Sequence, residues 1–394
     1  MKKSGGVLIL SAGAAGLGIV IGAISAAFLY LIDWGQHAVW ESGWIQFKYA
    51  PLLICSLGGI LIGFCQRYLG DHPKNLHGAV EEIRKTGRLE YAHLPNGLIS
   101  AFISLIFGAS LGPEAAVVNL LGGLSTWASD KLKKLSSWLR IPESTPDRTL
   151  VHRLARRWPN VLAISIAVVI FIIGIKDLYG GGVLKLNEPF AWIDLLWSIP
   201  MALLGATGGA LFLGLGRWMK QRLRFLKQKP VLRGVLSGCV LGLIACFLPM
   251  MLFSGQLYLQ QVYEQAAILG FWMLLWIALA RLFLINLLLE GGWKGGQFFP
   301  LMFASVAFGL SIKNLFPFVP DSAAIFGTMA AMITIVLPKP IVVLIVMAIF
   351  FPPQYLGISA VGVSVVMFGD WLWKRIKERV VNKTNRFTNH SLVD

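Results

Sequence analysis

Charge is what this chain has least of. Only 14% of its 394 residues are Asp, Glu, Lys or Arg, against about a quarter in an ordinary soluble protein. That scarcity excludes a soluble globule of this length, and no segment is polar enough to form a separate soluble domain. Redox and metal chemistry are equally poorly supplied. The four cysteines, Cys55, Cys65, Cys239 and Cys246, lack CxxC spacing and all fall in apolar segments. They read as small buried hydrophobes and carry no information on redox compartment. The six histidines show no metal-ligand spacing, and HExxH, GxSxG and P-loop patterns are missing. An enzyme, a catalytic residue, a metal or another cofactor therefore finds no support.

Long apolar runs are abundant instead. Val7–Ile32, Leu94–Pro113, Gly234–Tyr263 and Pro340–Gly369 contain no charged residue, and each is long enough to cross roughly 30 Å of hydrocarbon. Lys2 and Lys3 precede the first run as in a signal peptide. That run exceeds the roughly 7–15 residues of an h-region and ends without an A-x-A site, so it reads as the first span. The chain is thus expected to be an all-α polytopic membrane protein, because lipid forces backbone hydrogen bonds to close within each segment. The tryptophans are scattered, many near the expected interfaces, as in aromatic belts.

The formal charge of +16 is not spread evenly. Basic residues collect in Arg67–Arg88, Lys131–Arg157, Arg217–Arg233 and Lys374–Arg386, whereas the loops near His37, Tyr179 and Tyr258 are poor in them. This is the positive-inside pattern. It places the basic loops and both termini in the cytoplasm of a cell-membrane protein, and it argues against nucleic acid as a partner. The expected organisation is one membrane domain over residues 1–373, with repeats at about 7–175 and 190–373, and a basic cytoplasmic tail at 374–394.

Glycine and proline interrupt the apolar runs once in each half. Leu94–Phe107 stops at Gly108, and a new run starts after Pro113. Gln265–Leu289 stops at Glu290-Gly-Gly-Trp-Lys-Gly-Gly, and a new run starts at Gln297. Ser322–Leu337 stops before Pro338-Lys339-Pro340. Paired breaks of this kind mark a transporter whose site lies where broken helices meet. Gly108, Gly295 and Gly296 are the break glycines. A helix that starts after Gly112-Pro113 presents unpaired N–H groups and a positive dipole end, and so does one at Gln297-Phe298-Phe299. Two such termini aimed at one point bind an anion without a fixed cation.

One carboxylate stands in this region. Glu114 is the only residue charged at neutral pH between Leu94 and Ser129. In hydrocarbon an isolated carboxylate costs roughly 3 kcal/mol on insertion scales. It either caps its helix or acts as a tethered anion that competes for the site, and the apolar setting favours such a gate. Arg281 is a candidate pathway charge that snorkels inward or pairs with an acid. Glu290 is a candidate cap or partner of Lys294, and Asp194 an interfacial carboxylate.

The motifs resemble those of the CLC chloride channels and transporters. Ser110 to Ala115 reads S-L-G-P-E-A, similar to the family's G-[KR]-E-G-P helix start and to its bacterial variant. Gly295 to Pro300 is similar to G-G-x-F-x-P, and Thr334–Gln354 to the A-P-L-x-G segment. The nearest subgroup is bacterial and lacks cytoplasmic CBS domains. The resemblance implies a homodimer of inverted-repeat subunits with one anion pathway each. It makes Glu114 the gating glutamate and places the anion at the amides of Gln297, Phe298 and Phe299, beside Gly112 and Pro113.

Three departures accompany it. The family's G-S-G-I-P loop reads Gly70-Asp71-His72-Pro73-Lys74-Asn75, with no serine and with an acid. The family tyrosine has no clear match, and Tyr355 is near only in sequence. The first repeat is shortened, and no inner glutamate for proton transfer is found, since Glu143 and Asp147 lie in a charged loop. A passive chloride-like path gated by Glu114 fits best. A proton-coupled chloride or fluoride antiporter is the second reading, and a non-conducting membrane scaffold the third.

Overall fold

The structure, a computed structural model, describes residues 3–41, 47–72, 78, 81–82, 85–138, 150–179, 184–186, 188, 190–337 and 339–390. Among them the secondary structure is helical apart from one isolated antiparallel bridge. The helices are α1 (Lys3–Trp40), α2 (Ala50–Tyr68), α3 (Leu94–Ile106), α4 (Glu114–Trp138), α5 (Leu150–Tyr179), α6 (Ile193–Arg222) and α7 (Pro230–Ala245). They continue with α8 (Leu259–Glu264), α9 (Ala266–Gly291), α10 (Phe298–Leu315), α11 (Thr328–Val336), α12 (Pro340–Phe350) and α13 (Leu356–His390). Proline stands in the first turn of α2, α3, α7 and α12, where its missing N–H has no intrahelical partner to lose. Six described segments are long and apolar enough to cross a membrane: Ile9–Trp40, Ala50–Tyr68, Ile193–Arg222, Ala266–Gly291, Phe298–Leu315 and Pro353–Glu378.

Three uncharged stretches are not continuous helices. Leu94–Pro113 is helical only to Ile106. Gly234–Tyr263 ends its helix at Ala245 and continues through short 3-10 turns at Pro249–Met251 and Gln256–Tyr258 before α8. Pro249 cannot donate to a preceding turn, and Phe253 and Gly255 take φ of +57° and +77°, which no helix tolerates. Pro340–Gly369 divides between α12 and α13, because Pro352 and Pro353 follow Phe351. Conversely, α4 runs on through the basic residues from Lys131 to Trp138. Glu143, Asp147, Pro73, Lys74 and Asn75 lie outside the described residues. In the first half one described helix, α5, follows α4. In the second half α11, α12 and α13 follow α10, with a π-helical turn at Ala323–Gly327 leading into α11.

The chain forms two compact units. The first comprises Met1–Gly182, Trp218–Leu257 and Phe283–Pro300. Here α2 packs along α7 at backbone distance. Gly59 and Gly63 on α2, and Gly234, Gly238 and Gly242 on α7, each recur every fourth residue. A Cβ at Gly59 would lie 2.3 Å from the Gly234 carbonyl oxygen, and one at Gly238 would lie 2.2 Å from that of Cys55. Lipid tails give helices no hydrophobic reason to associate, so small residues that admit close backbone packing drive this contact. Gly238→Leu is therefore expected to destabilise the protein by about 1–3 kcal/mol, the usual cost of overpacking. Thermal unfolding in detergent measures this, and an unchanged transition would refute it. Phe28, Leu29 and Ile32 of α1, Ala101 and Leu105 of α3, and Ala116, Val117 and Leu120 of α4 share one buried cluster. That cluster fixes the start of α4.

The second unit comprises Val183–Arg217, Tyr258–Leu282 and Leu301–Asp394. Its core joins Met201, Ile312, Val319 and Ala324. Two buried acids there are paired. Asp321 accepts from the Tyr263 hydroxyl at 2.8 Å and pairs with Lys313. Asp194, at the start of α6, is buried within the protein, and its Oδ2 accepts from Ser322 Oγ at 2.6 Å and from the Ala191 N–H at 3.1 Å. It therefore ties the start of α6 to the segment that precedes the π-helical turn.

Candidate functional site

The two expected breaks meet within the first unit, and both are made in the same way. α3 ends at Ile106, Gly108 turns left-handed at φ +86°, and the Ala109 N–H reaches back to the Ser104 carbonyl at 3.1 Å. α9 ends at Gly291, Gly292 turns at φ +90°, and the Trp293 N–H reaches the Leu288 carbonyl at 2.9 Å. Both are Schellman caps with glycine at the left-handed position. The last carbonyls of α3 are also satisfied, since Leu105 accepts from Gln36 Nε2 at 3.0 Å and Ile106 from Trp40 Nε1 at 2.8 Å. Gly292 lies in the stretch where the run is expected to stop, although the expected break glycines are Gly295 and Gly296. Gly295 and Gly296 do not end the helix. They serve a close approach further on.

After each cap the chain continues without helix for a few residues, and the two stretches pair at one point. The Gly112 N–H donates to the Gly296 carbonyl at 2.8 Å, and the Gly296 N–H donates to the Gly112 carbonyl at 2.6 Å. A Cβ at Gly295 would stand 2.6 Å from the Leu111 Cβ. Pro113 is buried just before α4, and its carbonyl accepts from Val117 at 3.0 Å. Half-buried Gln297 links the bridge to α10.

Glu114 opens α4, and its side chain crosses to α10. Oε1 accepts from the Phe298 N–H at 2.6 Å and from the Phe299 N–H at 3.2 Å. These are amides that the first turn of a helix leaves without a partner. Oε2 is buried and makes no hydrogen bond among the described residues. The carboxylate lies in a cradle cleared by two glycines. A Cβ at Gly112 would lie 1.8 Å from Oε2, and one at Gly296 would lie 2.2 Å from Cδ. The rings of Phe298 and Phe299 are buried and meet edge to face at 5.7 Å.

The remaining candidates have other neighbours. Asp71, which stands in the loop where an anion-site serine was expected, pairs with Lys294. Burial pushes the Asp71 carboxyl up, but Lys294, with help from Arg233 and His72, holds it below the usual range. Lys294 therefore does not take Glu290 as its partner. The turn at Gly292 intervenes, and Glu290 lies in the field of Lys220, Arg233 and Lys227. Arg281 belongs to the second unit, where it is fully buried with its guanidinium over the Phe303 ring at 4.5 Å. Tyr355, also in that unit, is buried and stacked on Phe326 at 4.5 Å. Cys55 and Cys65 are buried, and all four cysteines are free thiols.

A polytopic helical membrane protein with two broken helices, whose N-termini converge on one carboxylate, is the class these features define. The sequence profile of the voltage-gated chloride channel family matches residues 149–367, more than half of the chain, and the chain belongs to that family. The match includes the Gly295–Phe299 break, and Glu114 lies before it. Among solved structures, a CLC-type fluoride/proton antiporter is similar at 18% identity and a TM-score of 0.63, covering 92% of this chain and 95% of that one. A slow cyanobacterial Cl⁻/H⁺ antiporter is similar at 16% identity and a TM-score of 0.67, covering 95% and 99%. At these identities the likeness is one of fold. No curated protein matches the chain.

Proposed function

We propose that this chain moves a small inorganic anion of the chloride type across the cell membrane, along a pathway that Glu114 gates. The observation that carries this reading is the Glu114 carboxylate on the amides of Phe298 and Phe299. Those amides are donors with no fixed counter-charge, suited to an anion that must also leave. A tethered carboxylate on the same donors excludes a free anion while it stays. Gly112, Pro113 and Gln297 line the backbone around that point, and Arg281 is the candidate pathway charge. The working form is a homodimer with one pathway per subunit and both termini in the cytoplasm.

A second reading is exchange of chloride or fluoride against protons, the activity named for the two similar antiporters. Glu114 supports it through Oε2, which takes a proton without competing for the two bonds on Oε1. The test is anion efflux from liposomes loaded with chloride or fluoride, with external pH recorded. Efflux without proton movement is expected for the gated path. Proton uptake driven by the anion gradient would establish exchange. No flux of either anion would overturn both readings and leave a scaffold.

A further inference from the structure

A second site lies in the first unit, at the ends of α2 and α7. A cavity of about 760 Å³ opens there to the surface, lined by Arg67, Gln228, Lys229, Val231, Leu232 and Val235. Its upper wall carries two cations and no acid. Neither Arg67 nor Lys229 forms an ion pair among the described residues, although Arg67 lies over the Tyr68 ring at 5.8 Å. The surrounding stretch from Arg217 to Arg233 holds seven Lys and Arg residues and no Asp or Glu. The lower wall is the first turns of α7, which begins at Pro230. That end of the helix adds a positive dipole on the same side as the cations.

Below the cavity both helices expose apolar side chains. Leu57 and Phe64 on α2, and Leu232 and Leu236 on α7, are each more than two-fifths exposed. In a membrane protein that face meets acyl chains. Exposed Tyr68, under the Arg67 guanidinium, is the kind of aromatic that sits at headgroup level. A cationic pocket above an apolar groove is complementary to an amphiphile with an anionic head. A small soluble anion would leave the groove unused.

We infer that this cavity holds the headgroup of an anionic phospholipid, with Arg67 and Lys229 on the phosphate and an acyl chain along Leu232 and Leu236. The site is independent of the reading of Glu114. It is connected to the broken helix through neighbours of its cations. Gln66 lies directly over Gly292, where a Cβ would come within 1.3 Å of its Nε2, and its Oε1 accepts from Arg233 at 2.6 Å. Lipid occupancy thus bears on the turn that ends α9.

The test is native mass spectrometry of the full chain in detergent, titrated with phosphatidylglycerol or phosphatidylcholine. Phosphatidylglycerol is expected to be retained and phosphatidylcholine not. The double variant Arg67→Gln/Lys229→Gln should weaken retention roughly thirtyfold, on the scale of two juxtamembrane basic residues. The variant Lys374→Gln/Arg375→Gln removes the same charge elsewhere and should leave retention unchanged. Equal losses in both variants, or equal retention of both lipids, would overturn the site. Displacement of phosphatidylglycerol by millimolar inorganic phosphate would show a free-phosphate site instead and overturn the lipid assignment.

Discussion

Glu114→Gln is expected to raise chloride efflux from liposomes at neutral pH by about ten- to a hundredfold. The wild-type carboxylate holds two backbone amides through one oxygen. Hydrogen bonds to a charged group contribute about 1.5–3 kcal/mol, and each 1.4 kcal/mol is a factor of ten in the fraction of time the amides are free. Glutamine keeps the length of the side chain and removes the charge. It should also remove the pH dependence of efflux. A carboxylate leaves the amides more readily once protonated, so wild-type efflux should rise as pH falls, whereas efflux through the variant should stay level. Efflux measured at several pH values checks both parts. A variant that matches the wild type throughout would reduce Glu114 to a helix cap.

Gly296→Ala should have a comparable effect for a steric reason. The new Cβ would sit 2.2 Å from the Glu114 Cδ and 2.4 Å from its Oε1. Carbon and oxygen atoms do not pack at that distance, so the carboxylate must leave its cradle. Gly296 itself has no left-handed backbone, and alanine adopts its conformation without strain. The expected result is efflux close to that of Glu114→Gln. The decisive comparison is Gly296→Ala in a Glu114→Ala background, where no carboxylate remains to be displaced. There the second substitution should add nothing, the non-additivity that marks residues in contact. If Gly296→Ala changes efflux equally in both backgrounds, the cradle has no part in gating.

Much of this site was legible because its parts are local signals. A Gly-Pro before an apolar helix start, a lone carboxylate in the first turn and a glycine run before Phe298 each carry their physics within a few residues. The all-helical membrane fold followed from the scarcity of charge. What was not legible depends on which distant residues meet. No pattern shows that Asp71 pairs with Lys294, because the two are 223 positions apart. The pairing of Gly112 with Gly296 uses backbone atoms alone and leaves no mark beyond the glycines. The uncharged stretch Gly234–Tyr263 passed for a span because composition, not Pro249, Phe253 or Gly255, dominates a hydropathy reading. Nor does any local pattern show that Asp194 accepts from Ser322, 128 positions away. The fourth-residue glycines of α2 and α7 gain their meaning only once those two helices are known to touch.

The bridge between Gly112 and Gly296 bears on timing. Two reciprocal hydrogen bonds hold the start of α4 against the start of α10, so the amides that Glu114 occupies need not move for it to leave. On the proposed reading, opening is a rotation about the few torsions of one side chain. Exposed side chains rotate in picoseconds to nanoseconds, and a buried, doubly hydrogen-bonded one more slowly, whereas rigid-body movements of domains take microseconds to milliseconds. A gate of the faster kind opens and shuts many times while one ion waits. It sets an average throughput, and single molecules would show a steady trickle with no long silent or active periods.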